Sequence, residues 1–416
     1  MAFTRTLVQL RPIVAALARH KVATLLIVLQ VALTLAVVSN ALFIVATRIV
    51  HLSHPTGTDE AHLFIIRNGW TIGQNATQID ANIQADLYTL RHVAGVRDAF
   101  SSQTFPLAGF SAHFITRLKL EPNQKADSQF ATFFASDEHT IDTLGVSLVA
   151  GRNFRPDEIT AIGPNDKMSP ASIIVTRSLA EKLFPEGSAL GKTVYLPDGP
   201  AAIIGILARL QGPLLDSGPA DGYTMLVPAH YLDPEGVVYL VRTYSTNMNP
   251  VMAAALKALR ERSDDRIIDP NGGVATMAQI REHAYAADHS VAVVMSILSG
   301  LLLLATAGGI VGLSSFWVGQ RRKQIGMRRA LGATRSDILH YFQTENFLIV
   351  SAGIVLGMLL GYAANLLLMT HYALPHMPLY VLPIGAALLW LLGQLAVLGP
   401  ALRAAAVPPI VATRSA

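Results

Sequence analysis

Polarity along the chain alternates between two regimes. Four stretches, residues 22–46, 291–318, 346–370 and 377–402, contain no Asp, Glu, Lys or Arg and are built mainly from Leu, Val, Ile and Ala. An α-helix crosses about 30 Å of hydrocarbon in ~20 residues, rising about 1.5 Å per residue, so each stretch is long enough to span a bilayer. Pro378 and Pro383 predict an irregular start to the fourth. The first is too long for the apolar part of a cleaved leader, begins about twenty residues in, and offers only "VSNA" as a cleavage site. It is expected to remain as a membrane helix.

Residues 47–290 follow a different pattern, in which short β-runs alternate with helical periodicity. "HLFIIRN" (62–68) predicts a strand and "TQIDANIQADLYTLRHV" (77–93) a helix. "AHFITRLKL" (112–120) and "FATFFAS" (130–136) alternate like half-buried strands. "SIIVT" (172–176) leads into the helix "RSLAEKLF" (177–184), and "KTVYL" (192–196) turns through Pro-Asp-Gly-Pro into "AAIIGIL" (201–207). Strands over 223–228 and 237–243 and a helix over 249–263 follow. Residues 277–290 read as a helix expected to run straight into the second span. The fold class is therefore an α-helical integral membrane protein with four transmembrane helices and a large mixed α+β extracytoplasmic domain between helices 1 and 2. That domain is large enough to bury its own core.

Composition supports this picture, and charge orients it. The 416 residues are 51% hydrophobic and 14% charged, against roughly 25% charged in average soluble proteins. The formal net charge is only +4, which gives no reason to expect a nucleic-acid partner. There is no cysteine, which excludes disulfides and thiolate chemistry. Before the first span stand Arg5, Arg11, Arg19 and Lys21 with no acid, and the link after the second span carries Arg321, Arg322, Lys323, Arg328, Arg329 and Arg335. "HYALPHMPLY" (371–380) has neither Lys nor Arg. The positive-inside rule then predicts that segments 1–21, 319–345 and 403–416 are cytoplasmic, with 47–290 and the short loop 371–376 outside.

Candidate chemistry is sparse. "PEGSALGKTVYL" (185–196) contains Gly191-Lys192-Thr193, but a phosphate-cradling loop requires G-x-x-x-x-G-K-[ST] between a strand and a helix. Here Glu186 stands where the first glycine belongs, and the order is helix, turn, strand. A glycine turn is the expected structure, and this chain is not expected to hydrolyse ATP. "DEHTID" (137–142) is read as a capped helix start rather than a catalytic cluster, and the thirteen histidines form no metal-ligand spacing. Asn75-Ala76-Thr77 is a glycosylation sequon by pattern only. A carrier driven by protons or sodium normally places ionisable groups inside its spans. None of the four stretches has one, so energy is expected to come from elsewhere.

Two spans carry small-residue faces that suit close helix packing: Gly308 and Gly312 in the second, and Gly353, Gly357 and Gly361 in the third. The link "GQRRKQIGMRRALGATRSDILHYFQTEN" (319–346) is the most informative stretch. Residues 321–331 are expected to continue the second span as a helix. Gly332 suits the position just past a helix end, and Thr334 with Asp337 fits a helix start that feeds the third span. Met327, Ala330 and Leu331 fall on one face of this basic elbow.

The string "RRKQIGMRRALGATRSDIL…TEN" resembles the signature of MacB/FtsX-type permeases of ABC transporters. "LVAGRNF" (148–154) and "VTRSLAEKLFPEGSALGKTVYL" (175–196) resemble their periplasmic domain. The resemblance covers most of the chain, with Gln324 standing where the family usually has glutamate. It implies a two-fold dimer with an identical or paralogous chain in a bacterial inner membrane, and separate ATPase subunits that bind the ATP and Mg, this chain holding no cofactor itself. It further implies contact with a periplasmic adaptor, an outer-membrane duct and lipid, and expulsion of a drug, peptide or toxin by movement of the outer domain. Lipoprotein extraction by a related permease shares the layout; regulation of a cell-wall hydrolase is a third reading, against which the size of the outer domain counts. The implied ATPase-coupling residues are Gln324, Met327, Arg328, Arg329, Ala330 and Leu331. Met327 and Leu331 are expected to face the partner, and Arg321 and Arg322 the lipid headgroups.

Overall fold

The computed structural model describes residues 21–408 except 72, 110–113, 125–127, 215–217, 264, 271 and 373–375. The charges at Arg5, Arg11 and Arg19, the start of "AHFITRLKL", residues 373–375 of the loop 371–376 and the end of the tail lie outside the described residues. The chain divides into two compact units, one formed by Met1–Ser53 with Ala287–Ala416 and the other by His54–Ala286.

The first unit is helical. α1 (Lys21–Ser53) packs against α9 (Arg335–Tyr372), which packs on α10 (Val381–Ala405); α7 (Ala286–Gln320) and the short α8 (Arg322–Ala330) complete it. Four helices are long and apolar enough to cross a membrane: Lys21–Val50, Ala286–Gln320, Arg335–Leu367 and Val381–Ala405. These helices outrun the charge-free stretches at several ends. Residues 47–53 are still helical, and α9 begins eleven positions before Asn346, which places Glu345 inside a continuous helix. The core between α1, α7, α9 and α10 is apolar, centred on Ile27, Val31, Leu35, Ile310, Val350, Ile354 and Leu389. In lipid the driving force for such packing is close approach rather than water exclusion. Pro383 falls in the first turn of α10, where the backbone N–H has no helical acceptor.

The second unit holds two sheets. One is antiparallel in the order β12–β1–β11–β2, with β13 also on β1: β1 is Leu63–Trp70, β2 Val96–Ser102, β11 Gly236–Thr243, β12 Arg266–Ile267 and β13 Val274–Thr276. α2 (Ala76–Arg91) and α5 (Asn249–Arg262) cover it, burying Ile79, Ile83, Leu87, Ala255 and Leu259 against Phe64, Ile66, Tyr239 and Val241. The other is mixed, in the order β3–β4–β10–β7–β9–β5 with β6 on β10 and β8 on β9. Its strands are β3 (Ile115–Leu118), β4 (Gln129–Ser136), β5 (Leu148–Gly151), β6 (Thr160–Ile162), β7 (Ser172–Thr176), β8 (Thr193–Leu196), β9 (Gly199–Leu207) and β10 (Thr224–Tyr231). α4 (Arg177–Leu183) packs Leu179 and Leu183 into its core. β4 alternates in sequence, yet its last six residues are all buried, because it lies inside the larger sheet rather than on a wetted face.

Two details correct the sequence expectations, and a third agrees with them. The helix at 277–290 is interrupted: α6 (Met277–Ala284) ends at Tyr285 before α7 begins. "DEHTID" opens α3 (Thr140–Leu144), whose N-cap position, His139, makes no side-chain cap. Asp137 instead accepts from the His139 backbone N–H at 3.0 Å and the Thr140 hydroxyl at 3.1 Å. The Gly-Lys-Thr triplet is a turn, with Gly191 at φ +79° donating its N–H to the Ile203 carbonyl at 2.8 Å before β8 starts.

Arg91 of α2 bonds Asp137, at the end of β4, at 3.1 Å and the Ala99 carbonyl of β2 at 2.9 Å, so it ties the two sheets together. Asp98 accepts from His139 Nδ1 at 2.9 Å, and this hydrogen bond raises the imidazole above its ordinary pKa. A raised folded-state value means the contribution is complete below the unfolded value of about 6.5 and is lost as pH climbs through the raised one. His139→Gln should therefore increase hydrogen exchange at the α3 amides at about pH 5.5, and the difference from the parent should shrink toward about pH 8.5. A difference independent of pH would exclude a charged His139 as the cause.

Candidate functional site

The elbow between α7 and α9 is built from local rules. At Arg321 the backbone leaves helical geometry (φ −96°, ψ 11°), so the stretch 321–331 does not continue α7; Arg322–Ala330 form the separate helix α8, capped by Arg321 and Leu331. α8 ends in a Schellman motif: Ala333 N–H donates to the Arg328 carbonyl at 3.0 Å and Gly332 N–H to the Arg329 carbonyl at 3.2 Å. Gly332 holds φ +100°, which favours glycine. α9 then starts with a reciprocal cap, Asp337 N–H to Thr334 Oγ1 at 3.2 Å and Thr334 N–H to Asp337 Oδ2 at 2.9 Å.

One side of α8 is fixed to the bundle. Ile325 is buried with Val318, Ile338, Phe342, Ala401, Ala404 and Val407. Arg329 Nη1 donates to the carbonyls of Ala405 at 2.8 Å and Val407 at 3.2 Å, satisfying acceptors at the end of α10 that lack helical donors. Arg328 is exposed and lies 4.7 Å over the Tyr341 ring. Arg321 reverses its expected place at the headgroups. Its Nη1 stands 2.9 Å from both Glu345 oxygens, with the side chains only 11% and 2% exposed.

Among the described residues, nothing covers the opposite side of α8. Gln324, Met327, Ala330 and Leu331 are exposed, Leu331 at 84%. An apolar pair thus stands exposed on a short basic helix whose other side is fixed to the bundle. Residues Ile325, Glu345 and the α10 carbonyls are absent from the sequence-derived set, because each acts across a long sequence separation.

The glycines divide sharply. A Cβ at Gly353 would stand 2.7 Å from Val31 Cβ, at Gly357 2.9 Å from the Ala32 oxygen, and at Gly361 3.3 Å from Ala36 Cα, so all three let α9 close on α1. Asn40 adds an interhelical bond from Nδ2 to the Gly361 carbonyl at 3.1 Å. A Cβ at Gly308 or Gly312 would meet no other element within 4 Å among the described residues; Gly309 instead faces Gln30. Their face of α7 is open, and only 11% of that span's apolar stretch is buried, against 33% or more in the others. Gly357→Val should lower the thermal midpoint of the full chain in nanodiscs, through overpacking worth about 1–3 kcal/mol. Gly308→Ala should leave it unchanged when the chain is monomeric. Equal shifts would contradict the packing described.

A multi-span membrane protein with a mixed α/β domain between its first and second spans is thus defined. The MacB-like periplasmic core domain matches residues 24–262 and the FtsX-like permease C-terminal domain residues 296–409. The chain belongs to the MacB/FtsX-type ABC transporter permeases. An uncharacterized ABC transporter permease, YknZ of Bacillus subtilis, is 22% identical over 87% of this chain and 86% of its own length. The macrolide export ATP-binding/permease protein MacB 1/2 of Paracoccus denitrificans is 26% identical over 53% of this chain, but that match spans only 32% of MacB 1/2. The solved periplasmic region of MacB from Actinobacillus actinomycetemcomitans aligns with 55% of this chain and 94% of its own, at 15% identity and a TM-score of 0.34.

Proposed function

We propose that this chain is the permease subunit of an ATP-driven exporter that converts cytoplasmic ATP hydrolysis into movement of an outer domain. The observation that carries the proposal is α8, with Met327 and Leu331 exposed on one side while Ile325 and Arg329 fix the other. A separate ATPase subunit, which binds ATP and Mg, docks on that exposed side, and its closure pushes α8 and α7 as a lever. The cargo is a drug, peptide or toxin already outside the inner membrane, so no charged path through the spans is needed. A second permease chain seats on the open face of α7 at Gly308 and Gly312, forming a two-fold pair. An adaptor and outer-membrane duct would receive the cargo.

The matching topology has both ends and α8 in the cytoplasm of an inner membrane and His54–Ala286 in the periplasm. Because the chain has no cysteine, single cysteines report cleanly. A cysteine at exposed Asn165 should react with an impermeant maleimide on spheroplasts. One at exposed Thr334 should react only after permeabilisation, and should be protected by the ATPase. Labelling of Thr334→Cys from outside would reverse the topology, and reactivity indifferent to the ATPase would remove α8 from the contact.

A further inference from the structure

Within His54–Ala286 lies a cavity of about 520 Å³ that the lever mechanism does not use. Its floor is apolar: Phe105 and Leu107, from the segment after β2, and Ile280 of α6 are all buried. Leu107 holds φ +65°, the one non-glycine positive φ among the described residues, and is fixed there by its N–H to the Gly212 carbonyl at 3.2 Å. The neighbouring Gly109 N–H reaches the Pro213 carbonyl at 3.0 Å, so this wall is braced rather than loose.

The mouth is polar, and Arg67 is the one Lys or Arg among the residues that line it. Arg67 of β1 donates through Nη1 to the Gly272 carbonyl at 3.0 Å, and its guanidinium stands 5.0 Å from the Phe105 ring centre. Among the described residues it forms no ion pair, and none of those lining the cavity carries a carboxylate. Gln279 and His283 of α6 add further polar groups at the rim. The guanidinium keeps donors beyond the one given to Gly272, and such a fork recognises carboxylate, sulfonate or phosphate through charge-assisted bonds. A concave, mostly apolar site of this size with few convergent polar groups suits a small molecule.

From this juxtaposition we infer that the cavity binds a small amphipathic monoanion, its acidic group on Arg67 and its ring or short chain on Phe105, Leu107 and Ile280. Occupancy touches α6, which ends at Ala284, two positions before α7 starts. The site is thereby joined by the chain itself to the second span.

The test is photolabelling of the full chain in nanodiscs with 4-benzoylbenzoate, followed by digestion and mass spectrometry. Adducts are expected on peptides containing residues 105–107 or 274–280. Arg67→Gln should reduce them about tenfold or more, the loss expected when one charged hydrogen bond is removed. Arg67 is exposed, so this variant keeps the fold, and Arg67→Lys should retain much of the labelling. Neutral 4-benzoylbenzamide should label as weakly as the acid does in Arg67→Gln. Equal labelling by acid and amide, undiminished labelling of Arg67→Gln, or absence of adducts in those peptides would each overturn the assignment. The assay contains no nucleotide and no ATPase, so its result is independent of the export proposal.

Discussion

Leu331→Asp and Met327→Asp should each abolish recovery of the ATPase with the permease and reduce coupled ATP turnover to that of the ATPase alone. Both side chains are exposed on α8, Leu331 at 84% and Met327 at 56%, so neither change disturbs the fold of the chain itself. Covered by a partner, an aspartate there is a charge without a counter-ion in a desolvated contact, a penalty of several kcal/mol. Arg322→Gln removes one exposed cation; at the headgroups, where the proposed topology has it, this should weaken membrane attraction by only about 1 kcal/mol. Co-purification and substrate-stimulated turnover in nanodiscs measure the contrast. Parent-like behaviour of Leu331→Asp would make α8 a lipid anchor instead.

The second large effect is internal. Glu345→Ala leaves Arg321 buried without its carboxylate, and breaking such a pair costs about 3–5 kcal/mol. The variant should lose thermal stability and detach α8 from α9, exposing the amides of residues 322–330 to hydrogen exchange. Replacing both partners, Arg321→Met with Glu345→Leu, removes the stranded charge and should restore most of the stability. If the double variant regains stability but not ATP-coupled turnover, the pair transmits force as well as holding the elbow. If Glu345→Ala melts like the parent, the pair contributes nothing despite its burial.

How much of this was legible follows from the range of each interaction. The elbow's caps at Gly332, Thr334 and Asp337 obey rules that reach only three or four residues, and the sequence states them outright. The charge-free stretches disclose the four apolar helices for the same reason, since length and composition are local properties. β2 is a different case: "VRDAFSS" has no clean alternation, and it becomes a strand because β11 pairs with it over Val238–Thr243 partners. The Arg321–Glu345 pair and the Arg329 bonds to α10 join residues 24 and 76 or more positions apart. No periodicity announces them. Gly308 and Gly357 show the limit of spacing rules, because a four-residue glycine repeat looks identical whether its helix face meets a neighbour or lies open.

The light seating of α7 has a mechanical consequence. Its polar attachments to α1 include the Thr34–Thr306 hydroxyl pair at 2.7 Å, Gln30 on the Ala305 carbonyl at 3.0 Å and the Arg48–Asp288 pair at 2.9 Å. Sliding α7 by one helical turn, about 5.4 Å, would bring Leu302 or Ile310 opposite Thr34 and leave a buried hydroxyl without its partner. A rod with a smooth apolar flank and a few polar catches has a notched resting position: it resists small displacements and yields as a whole once they are exceeded. In the lever proposed above, such a helix would deliver a stroke of fixed length rather than a graded one.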